Sequence, residues 1–504
     1  MRVRRLVPLL LAVAVLVAGC GGEEPGGGGG AGADTTLDVR LVLEPTSLDI
    51  TTVAGVALPQ LLLDNVYQGL LTRDSHGTIA PLLAERSDTS ADGLTYTFRL
   101  RDGLTFADGS PLTSADVVWS YRNVIAPGSK NPNRADFAAV SDISAPDAET
   151  VVITLRQRDA NFTYGLTNRA GVVLKRGTDP ATLADTTNGS GPFVVRSWQR
   201  GSSITLARNE HYWGEPAQLA TVVLHYIPDT TAANNAQLTG ETDVMTGPEA
   251  TLLAPFQDNP DFTVAEGVTS DKFALGINNS RGALADARVR HAIRQAIDKD
   301  GLIRVAQAGK GQRIGSAVAP TDPWFDPSLT AIDPYDPPAA RALLAQAGYA
   351  GGLDLNLVVP NIYNSVIGEY VASQLGQVGI RVRFEPVEFP TWLDRVYTKA
   401  DYDLSIVDHA EARDIATYAN PAYYWRYSDM QVQEWAAQAA TAPSDGERDE
   451  LYRKVARKIS EDAASDWLFT SSGLVVLRKG VTGFPTRETN SRLDLARVSA
   501  TPAQ

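Results

Sequence analysis

Leu37-Asp38-Val39-Arg40-Leu41-Val42-Leu43 alternates apolar and polar side chains, the period of a strand with one face buried, and Glu44-Pro45-Thr46-Ser47-Leu48-Asp49 interrupts it. Residues 58–72, LPQLLLDNVYQGLLT, place their apolar side chains at helical spacing and predict a helix. Tyr96 to Arg101 returns to period two, meets Asp102-Gly103, and a second short run is closed by Asp108-Gly109, which predicts strands joined by tight turns. Thr113, followed three residues on by Asp116 and then Val117-Val118-Trp119, is a capping-box start for a helix. Further strands are predicted at 150–155, 193–198, 203–208 and 221–227, and helices at 289–305 and 337–347. Strands at 353–359 and 380–386 flank a helical stretch at 365–377, an order that implies a parallel β–α–β unit. Mixed strands followed by β–α alternation predict an α/β architecture of at least two lobes.

The N-terminus follows a different logic. Arg2, Arg4 and Arg5 precede a twelve-residue apolar stretch, Leu6 to Val17, too short for a permanent membrane span. Small residues then lead to Cys20, the only cysteine in 504 residues. Residues 1–19 therefore read as an export signal, and Leu16-Val17-Ala18-Gly19-Cys20 resembles the lipobox of bacterial lipoproteins, which implies a lipid anchor on the Cys20 thiol. An ordinary signal cleaved near Ala18 would instead leave a free thiol, unusual in an exported protein. From Cys20 to residue 36 the chain is Gly-rich, with no side chain able to build a core, and reads as a tether of about 20–25 Å. No later stretch approaches eighteen uninterrupted apolar residues, so the remainder is expected to be soluble.

About 470 residues remain, more than one hydrophobic core organises, so two or three domains are expected. Losing Arg2, Arg4 and Arg5 with the signal moves the formal net charge from −14 to −17. That sign argues against nucleic acid as a partner and against electrostatic docking on anionic lipid. With no second cysteine, no intrachain disulfide can form.

Catalytic patterns do not stand out. There is no G-x-S-x-G elbow and no H-E-x-x-H pair, and Gly309-Lys310-Gly311 lacks the spacing of a phosphate loop. The five histidines are scattered without metal-ligand spacing, so no cofactor or metal is expected. One stretch is chemically dense. After the strand-like run 403–407 come Asp408, His409, Glu411, Arg413 and Asp414, then Tyr418, Tyr423, Tyr424, Trp425 and Tyr427. In an α/β sheet, ligands gather beyond the carboxyl ends of strands, where this cluster would lie. An aspartate there could pair with an α-ammonium, and Arg413 could take a carboxylate bidentately. Tyr423, Tyr424 and Trp425 could wall a cleft or fill the lobe's interior.

Several segments resemble solute-binding family 5, the dipeptide and oligopeptide receptors of ABC importers. These are Pro45 to Asp49, Val66 to Leu71, Gly77 to Glu85, and a long run from Asp92 to Ser120. Gly189 to Phe193, Arg208 to Trp213, Val289 to Ile293 with Ala296-Ile297-Asp298, and Tyr335-Asp336-Pro337 leading into Leu343–Gly348 follow in family order. The resemblance implies a periplasmic-binding-protein type II-like fold: two hinged α/β lobes joined by crossover strands, plus an extra family-specific domain. Lobe I would take 37–76, 187–268 and 479–504, the extra domain 77–186, and lobe II 269–478. It implies a monomer that hands a small solute, a peptide, to an ABC permease without performing chemistry. Family receptors hold the ligand's amino terminus with an aspartate just after a Gly-Trp pair; here Asp408-His409 stands in that place, with Asp408, Glu411 and Asp414 as the acidic candidates. Pro45, Thr46 and Ser47 would offer backbone groups to an extended ligand from the opposite lobe. Met245-Thr246-Gly247-Pro248 resembles the stretch near the crossover. The same fold could instead hold an oligosaccharide, a metal chelate or another amine-bearing solute, or serve a membrane sensor. An anchored hydrolase would have to use the carboxylates of 408–414.

Overall fold

The computed structural model describes residues 35–74 and 76–501. The signal, Cys20 and nearly all of the tether lie outside the described residues.

A single large sheet runs through both halves of the molecule. Its strand order is Ile380–Val387, Leu353–Pro360, Leu404–His409, Lys272–Ile277, Ser465–Arg478, Val244–Thr246, Thr36–Leu41, Thr221–Tyr226, Ser203–Arg208 and Phe193–Gln199. The fourteen-residue strand Ser465–Arg478 ties the halves together. Its first part pairs with Lys272–Ile277, and its second with Val244–Thr246 and Phe262–Val268. The chain thus crosses between the halves at 268–272 and again at 470–472, the connection expected of a two-lobed receptor.

The alternation at the start of the chain is realised as Thr36–Leu41, whose Leu37, Val39 and Leu41 are wholly buried, and which pairs in parallel with Thr221–Tyr226. Leu404-Ser405-Ile406-Val407 is buried on both faces, as a strand with parallel and antiparallel neighbours inside a covered sheet must be. The β–α–β unit forms as predicted: Leu353–Pro360 pairs in parallel with Ile380–Val387, and Ser365–Gln377 connects them after Asn364 caps its first turn.

Separate cores mark the parts. One gathers Leu37, Val39, Leu61, Phe193, Leu224 and Leu493. Two others, around Trp324, Trp425 and Trp467 and around Ile293, Leu357 and Ile406, fill the second half. A fourth lies between the antiparallel sheet Ala84–Thr89, Thr95–Leu100, Thr150–Leu155, Val140–Ser144 and the helix Ser114–Ile125. Val172, Leu174 and Leu183, inside the segment expected to be the extra domain, pack into the first of these cores, and Val475 joins it from the long shared strand.

Three predicted elements differ. Only Ala57–Leu62 of the 58–72 stretch is helical. Asp64 adopts a left-handed conformation (φ 66°), and Asn65 turns its side chain onto the Leu61 carbonyl, so the chain leaves the helix while every residue from 58 to 71 stays buried. Burial on all sides produced the apolar spacing there, not a single helical face. The 289–305 stretch is two helices, Ala287–Gln295 and Lys299–Ala306, because Asp298 caps the second by accepting the Gly301 amide at 2.9 Å. The run closed by Asp108-Gly109 forms no sheet strand, only an isolated bridge between Thr105 and Pro111.

Candidate functional site

The ladder between Lys272–Ile277 and Leu404–His409 carries the dense cluster. Its register sets Lys272 opposite His409 and Phe273 opposite Asp408, so the alternating faces sort the charges before any contact is made.

On one face stand His409 and Asp414. Lys272, only 1% exposed, spends all three ammonium donors: on the Ser270 carbonyl at 2.9 Å, the Glu411 carbonyl at 2.8 Å and Asp414 at 3.3 Å. Burial alone would lower its pKa, but Asp414, Asp322 and Asp408 reverse that and raise it. Burial likewise pushes Asp414 up, yet Lys272 and His409 outweigh it and hold the carboxyl below its usual range. With Asp414 ionised, His409 donates from Nδ1 to it at 2.9 Å, and Nε2 accepts from the Tyr424 hydroxyl at 2.7 Å. Asp414 and His409 are therefore engaged within the protein and fix the loop.

Asp408 faces the other way. Its amide donates to the Tyr363 hydroxyl at 3.2 Å, and its Oδ1 is buried without a hydrogen-bond partner. Burial first, then Asp271 and Glu411, raise its pKa well above the carboxylate range. Burial also raises Asp271, to about 6, although Lys272 and the Asn490 amide at 2.8 Å oppose the shift. None of Asp271, Asp408 and Glu411 forms an ion pair among the described residues. Tyr363 packs edge-on to Phe273, which stacks on Phe469, so the acids adjoin an aromatic wall. The arrangement can accept a cation: Asp271 and Glu411 both act on Asp408, and Lys272, the positive charge that acts on Asp271 and Asp408, spends its donors on Asp414 and two carbonyls instead.

Arg413 belongs to neither group. Its left-handed backbone (φ 61°) carries the side chain onto the Tyr164 ring at 3.8 Å and to Asn161 at 3.2 Å, both in the small antiparallel-sheet domain.

The aromatic residues divide as well. Tyr424 and Trp425 are 1% and 2% exposed and pack with Trp392, Tyr402 and Tyr418. Of the two roles the sequence allowed, cleft wall or lobe interior, their burial in this arrangement fits the interior. Tyr423 is half-buried over Tyr424.

Pro45 is buried, Thr46 exposed and Ser47 half-buried. The Thr46 carbonyl accepts from Arg200 at 3.3 Å, and the Ser47 hydroxyl (3.4 Å) and Leu48 amide (3.0 Å) both donate to the Ala184 carbonyl. Backbone groups offered to an extended ligand are thus partly spent, and no hydrogen bond among the described residues joins 45–47 to 408–414. At the carboxyl end of Thr36–Leu41, Val42 and Leu43 are exposed, with Gly247 beside Val42.

Asp271, Lys272 and Tyr363 escape a reading of the sequence because each is remote from residue 408 along the chain. The signal for Asp271-Lys272 was its position, two charges directly ahead of the apolar run 273–277.

The model of the bacterial extracellular solute-binding proteins, family 5 Middle, matches residues 78–431. A probable D,D-dipeptide-binding periplasmic protein of Escherichia coli strain K12 is 28% identical over 423 residues, 80% of this chain and 81% of that one. In structure, the chain resembles a periplasmic binding protein of Helicobacter pylori solved with the peptide STSA. The TM-score is 0.77 at 24% identity, covering 92% of this chain and 98% of that one. A Brucella suis protein solved with Fe(III)-EDTA gives a TM-score of 0.83 at 20% identity, covering 93% of this chain and all of that one.

Proposed function

The chain belongs to the bacterial extracellular solute-binding proteins of family 5, the substrate-binding components of ABC importers, and from that premise we propose that it captures peptides by their α-ammonium group. The observation that carries the reading is the meeting of Asp271, Asp408 and Glu411 without an ion-pair partner, next to Tyr363 and Phe273. An ammonium entering there offsets the burial, and the smaller repulsion, that raise the pKa values of Asp408 and Asp271. The relatives' ligands agree in kind: one curated relative is named for D,D-dipeptides, and one similar structure holds a tetrapeptide.

In this reading the segments 37–76, 187–268 and 479–504 move as one lobe with the extra domain, 77–186, and 269–478 moves as the other. Bending at 268–272 and 470–472 closes them. Ligand contacts on both lobes favour the shut state, and the permease recognises that state. The exposed Val42 and Leu43 of the first lobe supply an apolar surface for side chains. An oligosaccharide fits less well, because the aromatic residues that would stack on sugar, Tyr424 and Trp425, are interior. Cys20 would carry the lipid that keeps the receptor beside its permease.

Native mass spectrometry of the protein purified from its own producer tests the reading. A ladder of co-purified peptide masses is the expected result. A single defined sugar or metal chelate in their place overturns the peptide assignment.

A further inference from the structure

Where the small antiparallel-sheet domain meets the second lobe and the C-terminal segment, just past Glu411 along the chain, lies a cavity of about 570 Å³. Four arginines line it, and two of them have carboxylate partners: Arg73 with Glu488 at 3.2 Å, and Arg448 with Asp445 and Asp449 at 2.8 Å. Arg413 and Arg487 have none within ion-pair distance among the described residues. Arg413 sits over the Tyr164 ring and donates only to the neutral Asn161 amide oxygen. Arg487 donates to the Thr321 carbonyl at 3.3 Å, while its Nε is buried with no partner. Gly77 (φ 79°) makes room for it, since a Cβ there would come within 2.8 Å of that Nε. The Thr321 hydroxyl beside it is also buried and unpartnered.

The nearby acids do not fill the gap. Asp74 spends a carboxylate oxygen on the His76 and Thr78 amides at 2.8 and 2.9 Å. Asp322 accepts the Arg413 amide, not its guanidinium, and burial raises its pKa to about 6, so its negative charge opposes an anion only above that pH. In a chain with 59 acidic against 45 basic residues, two arginines kept off carboxylates in one cavity are available to an anion from outside.

We propose that this cavity is an oxyanion site, in which Arg413 and Arg487 together bind a carboxylate or phosphate group between the small domain and the second lobe. Planar guanidinium groups suit both anions, because each offers paired donors to two oxygens. An anion held there touches parts of the molecule that belong to different cores, so its binding also favours their contact.

The test uses the full mature chain, with succinate and inorganic phosphate as probes and chloride at matched ionic strength as the control, read by titration calorimetry. Neither probe carries an ammonium, so the outcome is independent of the peptide reading. Saturable one-to-one binding of at least one probe is expected, and the preferred probe tells carboxylate from phosphate. Arg413→Gln and Arg487→Gln should each weaken it about tenfold or more, the worth of a charge-assisted bond. Arg487→Lys, which keeps the charge and guards against a folding defect, should fall between. The proposal is overturned if neither probe binds above the chloride control, or if binding survives all three substitutions undiminished.

Discussion

At Asp271, burial holds the carboxyl proton up to about pH 6, two units above an ordinary aspartate. The sign of the effect follows from linkage: between those values the folded state binds more protons than the unfolded one, so stability falls as pH rises through the window and levels off above it. Asp271→Asn should remove that slope and raise stability at neutral pH by on the order of 1–2 kcal/mol, measured by denaturant unfolding at pH 4.5 and 7.5. A slope unchanged by the substitution would mean that the carboxyl is not desolvated. The same proton has a consequence for function. A cationic ligand requires the acids ionised, so capture should tighten as pH rises past about 6, with proton release on binding. Asp408 was visible in the sequence as an acid beyond a strand. Asp271, its neighbour in space, was not, because 137 positions separate them and only the strand register brings them together.

At the scale of elements, the strand pair that sorts the charges depends on one buried cation. Lys272→Met leaves Asp414 and the Ser270 and Glu411 carbonyls without their donor, and should destabilise the protein by about 3–5 kcal/mol in chemical denaturation. A loss below about 1 kcal/mol would assign the loop's order to packing instead. Gly267, in the strand Phe262–Val268, is equally exacting: a Cβ there would meet the Thr486 carbonyl at 1.8 Å. Gly267→Ala should therefore loosen the C-terminal segment, seen as faster amide exchange at 486–492. Elements with a clean period, such as Thr150–Leu155 and Ser365–Gln377, could be read directly from the chain. The buried 58–71 loop could not, since residues covered on every side carry no periodicity that distinguishes helix from irregular backbone. The aromatic run 418–427 was ambiguous for a related reason: pocket walls and core share a composition, and only packing against Trp392 and Trp467 assigns Tyr424, Trp425 and Tyr418 to the interior.

For the whole molecule, the ordered series of family-like segments was the strongest message in the sequence, and the architecture of lobes joined through Ser465–Arg478 agrees with it. What the chain could not reveal was how its dense cluster divides: Asp408 and Glu411 toward the acids, His409 and Asp414 inward, Arg413 toward the small domain. Strand alternation and one left-handed residue produce that division, and neither is written in residue types. At this scale the anchor is also testable. Cys20→Ser should release the protein from membranes, and continued retention would contradict the lipobox reading. The central claim is that an unpaired set of carboxylates takes a peptide's α-ammonium. Calorimetric titration with one peptide in its free and N-acetylated forms, drawn from the masses found on the purified protein, tests it most directly. The free form is expected to bind at least about a hundredfold more tightly, with Asp408→Asn erasing most of the difference. Equal affinity for the two forms would contradict it.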